Sequence, residues 1–131
     1  ITQMKFSLIG PSNPIPPLGW GAVESLIWDY YLTLTKMGHE VKIFNSYDPN
    51  QTLRDINNFQ PDFVHINYDD WIILYPHIRY PCACTTHYAY LNQEKKIGGY
   101  SNFLNLFKEY KPNIFGLSES ILQMYESVCK V

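Results

Sequence analysis

Five short apolar segments recur along the chain, and turn-forming residues bound each of them. They are KFSLIG (5–10), EVKIFN (40–45), DFVHIN (62–67), YPCACTT (80–86) and NIFGLS (113–118). Segments of this length, rich in β-branched and aromatic residues, are typical of buried strands. Because helical spacing separates them, the alternation predicts a parallel sheet with helices on both of its faces.

The clearest helix lies between the first two strands and begins near Ala22. Gly38 ends it, because a glycine adopts a left-handed backbone conformation at low cost. Its apolar side chains recur at steps of three or four residues and so share one stripe: Val23, Leu26, Ile27, Tyr30, Leu34 and Met37.

Weaker helical spacing occurs at residues 50–60, 69–77, 100–110 and 119–130. Pro61 and Pro112 close the helices that precede the third and fifth strands. The polar stretch 90–102 is predicted to be a long, mobile loop. The whole pattern predicts an α/β fold, a Rossmann-like doubly wound parallel sheet, in a single domain over residues 1–131.

Composition and charge exclude several classes of function. The net charge is −2 and no stripe of Lys or Arg is present, so nucleic acid is not a predicted partner. No apolar run approaches the roughly 20 residues of a membrane span. Three cysteines, an odd number, argue against a disulfide framework and for a reducing compartment. The predicted location is therefore the cytoplasm.

The stretch IGPSNPIPPLGWGAVES (9–25) joins the first strand to the first helix. Its prolines hold the chain extended, while Gly19 and Gly21 allow the backbone to approach a ligand closely. The helix start supplies unpaired N–H groups and the positive end of the helix dipole. This pattern predicts a site for phosphate or carboxylate oxygens. The alternative is a Pro/Gly turn that only connects a strand to a helix.

The loop matches neither of the common nucleotide-binding motifs. A dinucleotide fingerprint needs a third glycine where this chain has Glu24, and no Gly-Lys-Ser/Thr follows as in a P-loop.

Several motifs in order resemble those of the retaining GT-B glycosyltransferases of family 4. The resemblance begins with MKFSLIGPSNPIPPLGWGAVESLIWDYYLTLTKMGHEVKIF (4–44), which contains the helix entry GAVE (21–24) and the turn GHEV (38–41). It continues through PDFVHIN (61–67), PCACTTH (81–87) and IFGLSES (114–120). It departs at Ala22, where the family has a second glycine, and at Asn67, where it has a second histidine.

The resemblance implies transfer of a sugar from a nucleotide-diphosphate sugar to a hydroxyl acceptor, with retained configuration. It implies that residues 1–131 form the N-terminal, acceptor-side domain. The C-terminal domain, whose paired glutamates hold the nucleotide sugar, is absent from this sequence. No cofactor is implied beyond the nucleotide sugar as co-substrate, and no metal. The isolated domain is expected to lack transfer activity, because its cleft has only one wall.

The resemblance also assigns roles to particular residues. His87 would be catalytic and would bind the transferred sugar or the acceptor. The turn Gly19, Trp20, Gly21 and Ala22 would bind the diphosphate. Ser118 and Glu119 would lie on the wall facing the second domain, and Ser118 would also cap a helix.

Three polar residues follow the third strand, and their role stays open at the level of sequence. One of Asn67, Asp69 and Asp70 binds an acceptor hydroxyl, or they cap the next helix.

Other polar residues have structural interpretations. His65 is expected to be buried and hydrogen-bonded, Glu24 to complement the helix dipole, and His39 and Glu40 to form a distant surface turn. Cys82 and Cys84, near His87, could suggest a metal site, but a strand buried on both faces suits apolar thiols better.

Two other classes of function compete with the enzyme. One is a non-catalytic Rossmann-like module that binds a phosphorylated or carbohydrate ligand. The other is a flavodoxin-like regulatory domain, which lacks support because no acidic cluster follows the first strand.

Overall fold

The computed structural model describes residues 2–86, 100–116 and 118–126, which contain five strands. All of the strands pair in parallel, in the order β2-β1-β3-β4-β5. The predicted parallel α/β sheet is therefore confirmed. The strands are β1 (Lys5–Ile9), β2 (Glu40–Phe44), β3 (Phe63–Ile66), β4 (Cys82–Thr86) and β5 (Ile114–Gly116).

The helices lie where the spacing predicted them. They are α1 (Ala22–Lys36), α2 (Pro49–Phe59), α3 (Tyr100–Tyr110) and α4 (Glu119–Tyr125), and a 3₁₀ segment spans Asp69–His77. The predicted loop 90–102 lies outside the described residues, except for its last three positions, which already belong to α3.

Local signals explain where the first two helices begin and end. Gly38 follows α1 with φ +96°, the left-handed conformation that favours glycine. Asp48 caps α2 by accepting a hydrogen bond from the backbone N–H of Asn50 at 2.9 Å, and Pro49 occupies the first helical position. Gln60, with φ 53°, ends α2 just before Pro61.

The segment predicted as a helix at 69–77 is a 3₁₀ helix instead of an α-helix. Pro76 lies inside it and has no backbone N–H to donate to the preceding turn. The tighter 3₁₀ geometry is common in short connectors of this kind.

The strand order decides which face of the sheet each helix covers. The chain moves from β1 to β2 in one direction and from β2 through β3 and β4 to β5 in the other. Because crossovers between parallel strands are right-handed, α1 lies on one face, and α2, the 3₁₀ segment and α3 lie on the other. The contact of Tyr30 in α1 with His65 in β3, at 5.5 Å between ring centroids, identifies the first face.

The main core lies on the face opposite α1. There the strands contribute residues such as Ile66 and Cys84, and the covering elements contribute Ile56, Phe107 and Tyr125. The rings of Phe107 in α3 and Tyr125 in α4 meet edge to face at 5.3 Å between centroids. The helix after β5 therefore packs on the same face as α3.

The direction in which the chain adds strands to the sheet reverses between β1 and β3. The loops that follow these two strands therefore diverge toward opposite faces of the sheet. Such a switch point opens a crevice at the carboxyl ends of the strands, where ligands of doubly wound folds bind. Two hydrogen bonds hold the crevice together: the N–H of Asn67 donates to the Ile9 carbonyl at 2.8 Å, and the Trp71 indole donates to the Gly10 carbonyl at 3.1 Å.

Across the described ranges, no helix combines the length and the apolar character needed to span a bilayer.

Candidate functional site

An open groove of about 570 Å³ lies at the switch point. The loops after β1, β2 and β3 form its walls. None of the described residues that line it is Lys or Arg, so its polar groups are hydroxyl, amide and carboxylate. The lining residues are Pro11, Ser12, Asn13, Tyr47, Pro49, Tyr68, Asp70, Trp71 and Ile73.

Asp70 is the carboxylate of this groove. Burial against the groove wall raises the pKa of Asp70, and the side-chain hydrogen bond from Tyr68 opposes part of that rise. A partly desolvated carboxylate in a cleft is well suited to accept a hydrogen bond from a ligand hydroxyl. Of the three polar residues predicted to follow the third strand, Asp70 is the one that reaches the groove.

Asp69 lies beneath the groove and does not line it. It is completely buried, and the hydroxyl of Thr86 at the end of β4 donates to its Oδ2 at 2.9 Å. The carboxylate therefore ties the end of β4 to the segment that follows β3. Asp69 also does not cap the 3₁₀ segment, because it is the first residue inside that segment. The cap position is occupied by Tyr68, whose side chain makes no cap hydrogen bond.

Asn67 is also completely buried. Its Nδ2 donates to the carbonyl of His65 at 3.1 Å, while the described residues provide no hydrogen-bond partner for its Oδ1. Like Asp69, it is buried in the interior and does not line the groove.

A second concavity, of about 320 Å³, lies along the loop between β1 and α1, and we call it the Glu24 hollow. The side chain of Trp20 is 98% exposed, so this tryptophan packs against none of the core. Asn13 lines both the hollow and the groove. The residues of the hollow are Asn13, Pro14, Pro17, Leu18, Gly19, Trp20 and Glu24.

A carboxylate side chain, that of Glu24, lies in the first turn of α1. Gly21 occupies the N-cap position with an extended backbone and no side-chain cap. Glu24 is only 7% exposed and folds back toward Gly21, so that a Cβ added to Gly21 would lie 2.7 Å from Glu24 Oε2. The Nδ2 of Asn13 donates to the other oxygen, Oε1, at 3.0 Å.

This arrangement agrees with the prediction that Glu24 complements the helix dipole. It also changes the electrostatics of the predicted phosphate site. A diphosphate at Gly19–Ala22 would meet a negative charge that is already in place.

Ser118 and Glu119 lie at the far end of the sheet. Ser118 caps α4, as predicted, because its Oγ accepts from the N–H of Ile121 at 3.3 Å. β5 is three strand spacings from β1, about 14 Å. These two residues are therefore separated from the groove, although they share its edge of the sheet.

His87, the predicted catalytic residue, lies outside the described residues. His65 is hydrogen-bonded as predicted, through its Nε2 and the hydroxyl of Thr85, but it is only partly buried. Its ring packs between Tyr30 and Phe115, each at 5.5 Å, on the α1 face of the sheet and not at the ligand edge.

The cysteines of β4 are buried within the sheet. Burial raises the pKa of Cys82 to about 12, so the thiol stays protonated at neutral pH. Within the part of the chain that the structure describes, no three His, Cys, Asp or Glu side chains gather into a metal-binding group.

Sequence reasoning missed the aromatic residues of the groove. Tyr47 follows β2, while Tyr68 and Trp71 follow β3, so all three come shortly after the carboxyl end of a strand. Their position after a strand end was the sequence signal that could have identified them, because the same signal identified Asp70.

A scan against protein-family models finds no match for this chain, and a search of the curated proteins finds none either.

The titration of Asp70 gives the fold a pH dependence of definite sign. Because the pKa is raised above 3.8, the folded chain binds this proton more tightly than the unfolded chain does. The contribution of Asp70 to the free energy of unfolding therefore falls as the pH rises from 3.8 to the folded pKa, and is constant above it.

Asp70→Asn removes this titration. Urea unfolding at a series of pH values should show the stability difference moving in favour of the variant as the pH rises from about 3 to 7. A difference that moves the other way would contradict the desolvation of this carboxyl group.

Proposed function

We propose that this chain supplies the acceptor-side domain of a retaining glycosyltransferase. The enzyme moves a sugar from a nucleotide-diphosphate donor to a hydroxyl group of an acceptor. The groove at the switch point carries the proposal, because its volume of about 570 Å³ falls in the range of small-molecule sites. Its hydroxyl, amide and carboxylate groups match the hydrogen-bonding groups of a sugar, and the order of the family-like motifs supports the same function.

The groove would orient the acceptor. In this proposal Asp70 accepts a hydrogen bond from an acceptor hydroxyl. The rings of Tyr47, Tyr68 and Trp71 offer apolar surface to the C–H faces of a sugar ring. The indole of Trp71 is fixed by its bond to the Gly10 carbonyl, so this wall of the groove is positioned before a ligand arrives.

During transfer, the acceptor oxygen forms a bond to the anomeric carbon while the bond from that carbon to the diphosphate breaks, and the hydroxyl proton of the acceptor passes to the departing diphosphate. Negative charge grows on the departing phosphate oxygen, and donors aimed at that oxygen lower the barrier. The resemblance gives this task to the turn Gly19–Ala22, together with a second domain that binds the nucleotide, and places His87 beside the transferred sugar.

One observation favours the alternative, a non-catalytic module that binds a carbohydrate ligand. Neither the groove nor the Glu24 hollow has a Lys or Arg among the described residues that line it. The described lining of these two concavities therefore offers a diphosphate no cationic side chain.

The test is a transfer assay on the longest product of the gene that encodes this chain, with labelled nucleotide-diphosphate hexoses and simple glycosides as acceptors. Asp70→Asn should lower kcat/KM for the acceptor about ten- to a hundredfold, because it removes a charge-assisted hydrogen bond. Asp29→Asn, an exposed carboxylate of α1, is the matched control and should change nothing. Acceptor binding without transfer would favour the module, and equal activity of Asp70→Asn and its control would remove Asp70 from the site.

A further inference from the structure

The Glu24 hollow contains a buried carboxylate whose hydrogen bonding is incomplete. Glu24 is 7% exposed, and Asn13 satisfies only its Oε1. Among the described residues no donor reaches Oε2, although this side chain lines the hollow. Oε2 therefore faces the hollow as an unused acceptor, and a ligand that brings a donor would complete the hydrogen bonding of this carboxylate.

Asn13 places a donor next to this acceptor. Its Nδ2 group has two hydrogens, and the bond to Glu24 Oε1 uses one of them. The hollow therefore presents an acceptor, Glu24 Oε2, and a donor, the second Nδ2 hydrogen of Asn13, side by side.

This pair selects between classes of ligand. A phosphate carries negative charge on its acceptor oxygens and would be repelled by the charge of Glu24. An ammonium group only donates and would leave the Asn13 hydrogen unused. Two adjacent hydroxyl groups fit both, because one can donate to Glu24 while the oxygen of the other accepts from Asn13.

The remaining walls are apolar. Pro14, Pro17, Leu18 and Trp20 line the hollow, and Leu18 and Trp20 are almost fully exposed. A ligand with a hydroxyl edge and a C–H face would cover this surface and satisfy the polar pair at once.

From these contacts we infer that the Glu24 hollow binds an uncharged sugar ring through two neighbouring hydroxyl groups. Glu24 accepts from one and Asn13 donates to the other, while Trp20 packs against the ring. The biological use of this sugar rests on the proposed function, but the binding itself needs neither a donor nucleotide nor a second domain.

The test is a titration of the chain with methyl α-glucoside, methyl α-mannoside and methyl α-galactoside, followed by NMR. At least one glycoside should shift the indole N–H of Trp20 and the amide of Glu24 in a saturable way. Glu24→Gln should weaken this binding about tenfold or more, because it replaces a charged acceptor by a neutral one. The control is Glu40→Gln. Glu40 is an exposed carboxylate at the amino end of β2, away from the carboxyl ends of the strands, and this variant should bind the glycoside as the parent does.

Inorganic pyrophosphate and ethylamine are the discriminating probes. Neither should compete with the glycoside in the parent chain. Competition by ethylamine would overturn the hydroxyl pair in favour of a cation, and competition by pyrophosphate would overturn it in favour of an anion. Absence of any saturable glycoside binding, or equal binding by Glu24→Gln with an unchanged circular dichroism spectrum, would also overturn the inference.

The failure of this inference is distinguishable from that of the proposed function. Glycoside binding that depends on Glu24, without transfer by the longest gene product, keeps the inference and removes the enzyme. Transfer by the longest gene product, without glycoside binding that depends on Glu24, keeps the enzyme and removes the hollow as a sugar site.

Discussion

Replacing Gly21 by aspartate is expected to abolish sugar transfer, with kcat lowered about a hundredfold or more. A Cβ at this position would lie 2.7 Å from Oε2 of Glu24 and 3.0 Å from Cβ of Pro17, so the Glu24 side chain must move. The new carboxylate also adds a second negative charge where the proposed function places the diphosphate. Initial rates with the longest gene product, measured across donor concentrations, give the effect.

Two further variants separate the causes. Gly21→Ala displaces Glu24 without adding charge, and should lower the rate less than Gly21→Asp does. Ser25→Asp adds a carboxylate at an exposed position in the first turn of α1, and this variant should keep the parental rate. If Gly21→Asp folds normally and keeps the parental rate, residues 19–22 do not contact the donor.

The second large effect concerns stability. Phe107→Ala is expected to lower the free energy of unfolding by about 3–5 kcal/mol. Phe107 is completely buried, and its ring meets Tyr125 at 5.3 Å in the core that joins α3 to α4. Because domains of this size are stable by only about 5–15 kcal/mol, this one cavity would remove a large part of the total. Urea unfolding followed by circular dichroism measures the change.

Phe115→Ala is the matched control for this prediction. Phe115 lies on β5 but is 51% exposed, on the other face of the sheet. The same deletion of a ring should cost about 1 kcal/mol there, because much of that surface is in water already. Equal costs at the two positions would contradict the location of the main core opposite α1.

Much of the fold follows from sequence patterns alone. The apolar stripe and Gly38 located α1, and the five apolar segments located the strands, because these signals depend on residues close together in the chain. The position of α4 could not be derived in this way. No described strand follows it, so no crossover rule assigns its face, and its place against α3 depends on the contact between Tyr125 and Phe107.

The candidate site was located more coarsely than the fold. Strand ends indicated the correct edge, but neighbouring residues in the 3₁₀ segment diverge: Asp69 turns inward to Thr86 while Asp70 lines the groove. The position of the Glu24 carboxylate depends on Asn13, which precedes it by 11 residues and lies in the loop before α1. No periodicity in the sequence encodes such a contact.

Asn13 stands in the wall between the groove and the Glu24 hollow. Its side chain holds Glu24, and its backbone carbonyl accepts from Nδ2 of Asn45, which follows β2. A molecule that shifts this residue from either side therefore alters the other compartment. Thermodynamic reciprocity then requires two simultaneous occupants to change each other's affinity by one common factor, so a double titration would report cooperativity in both directions.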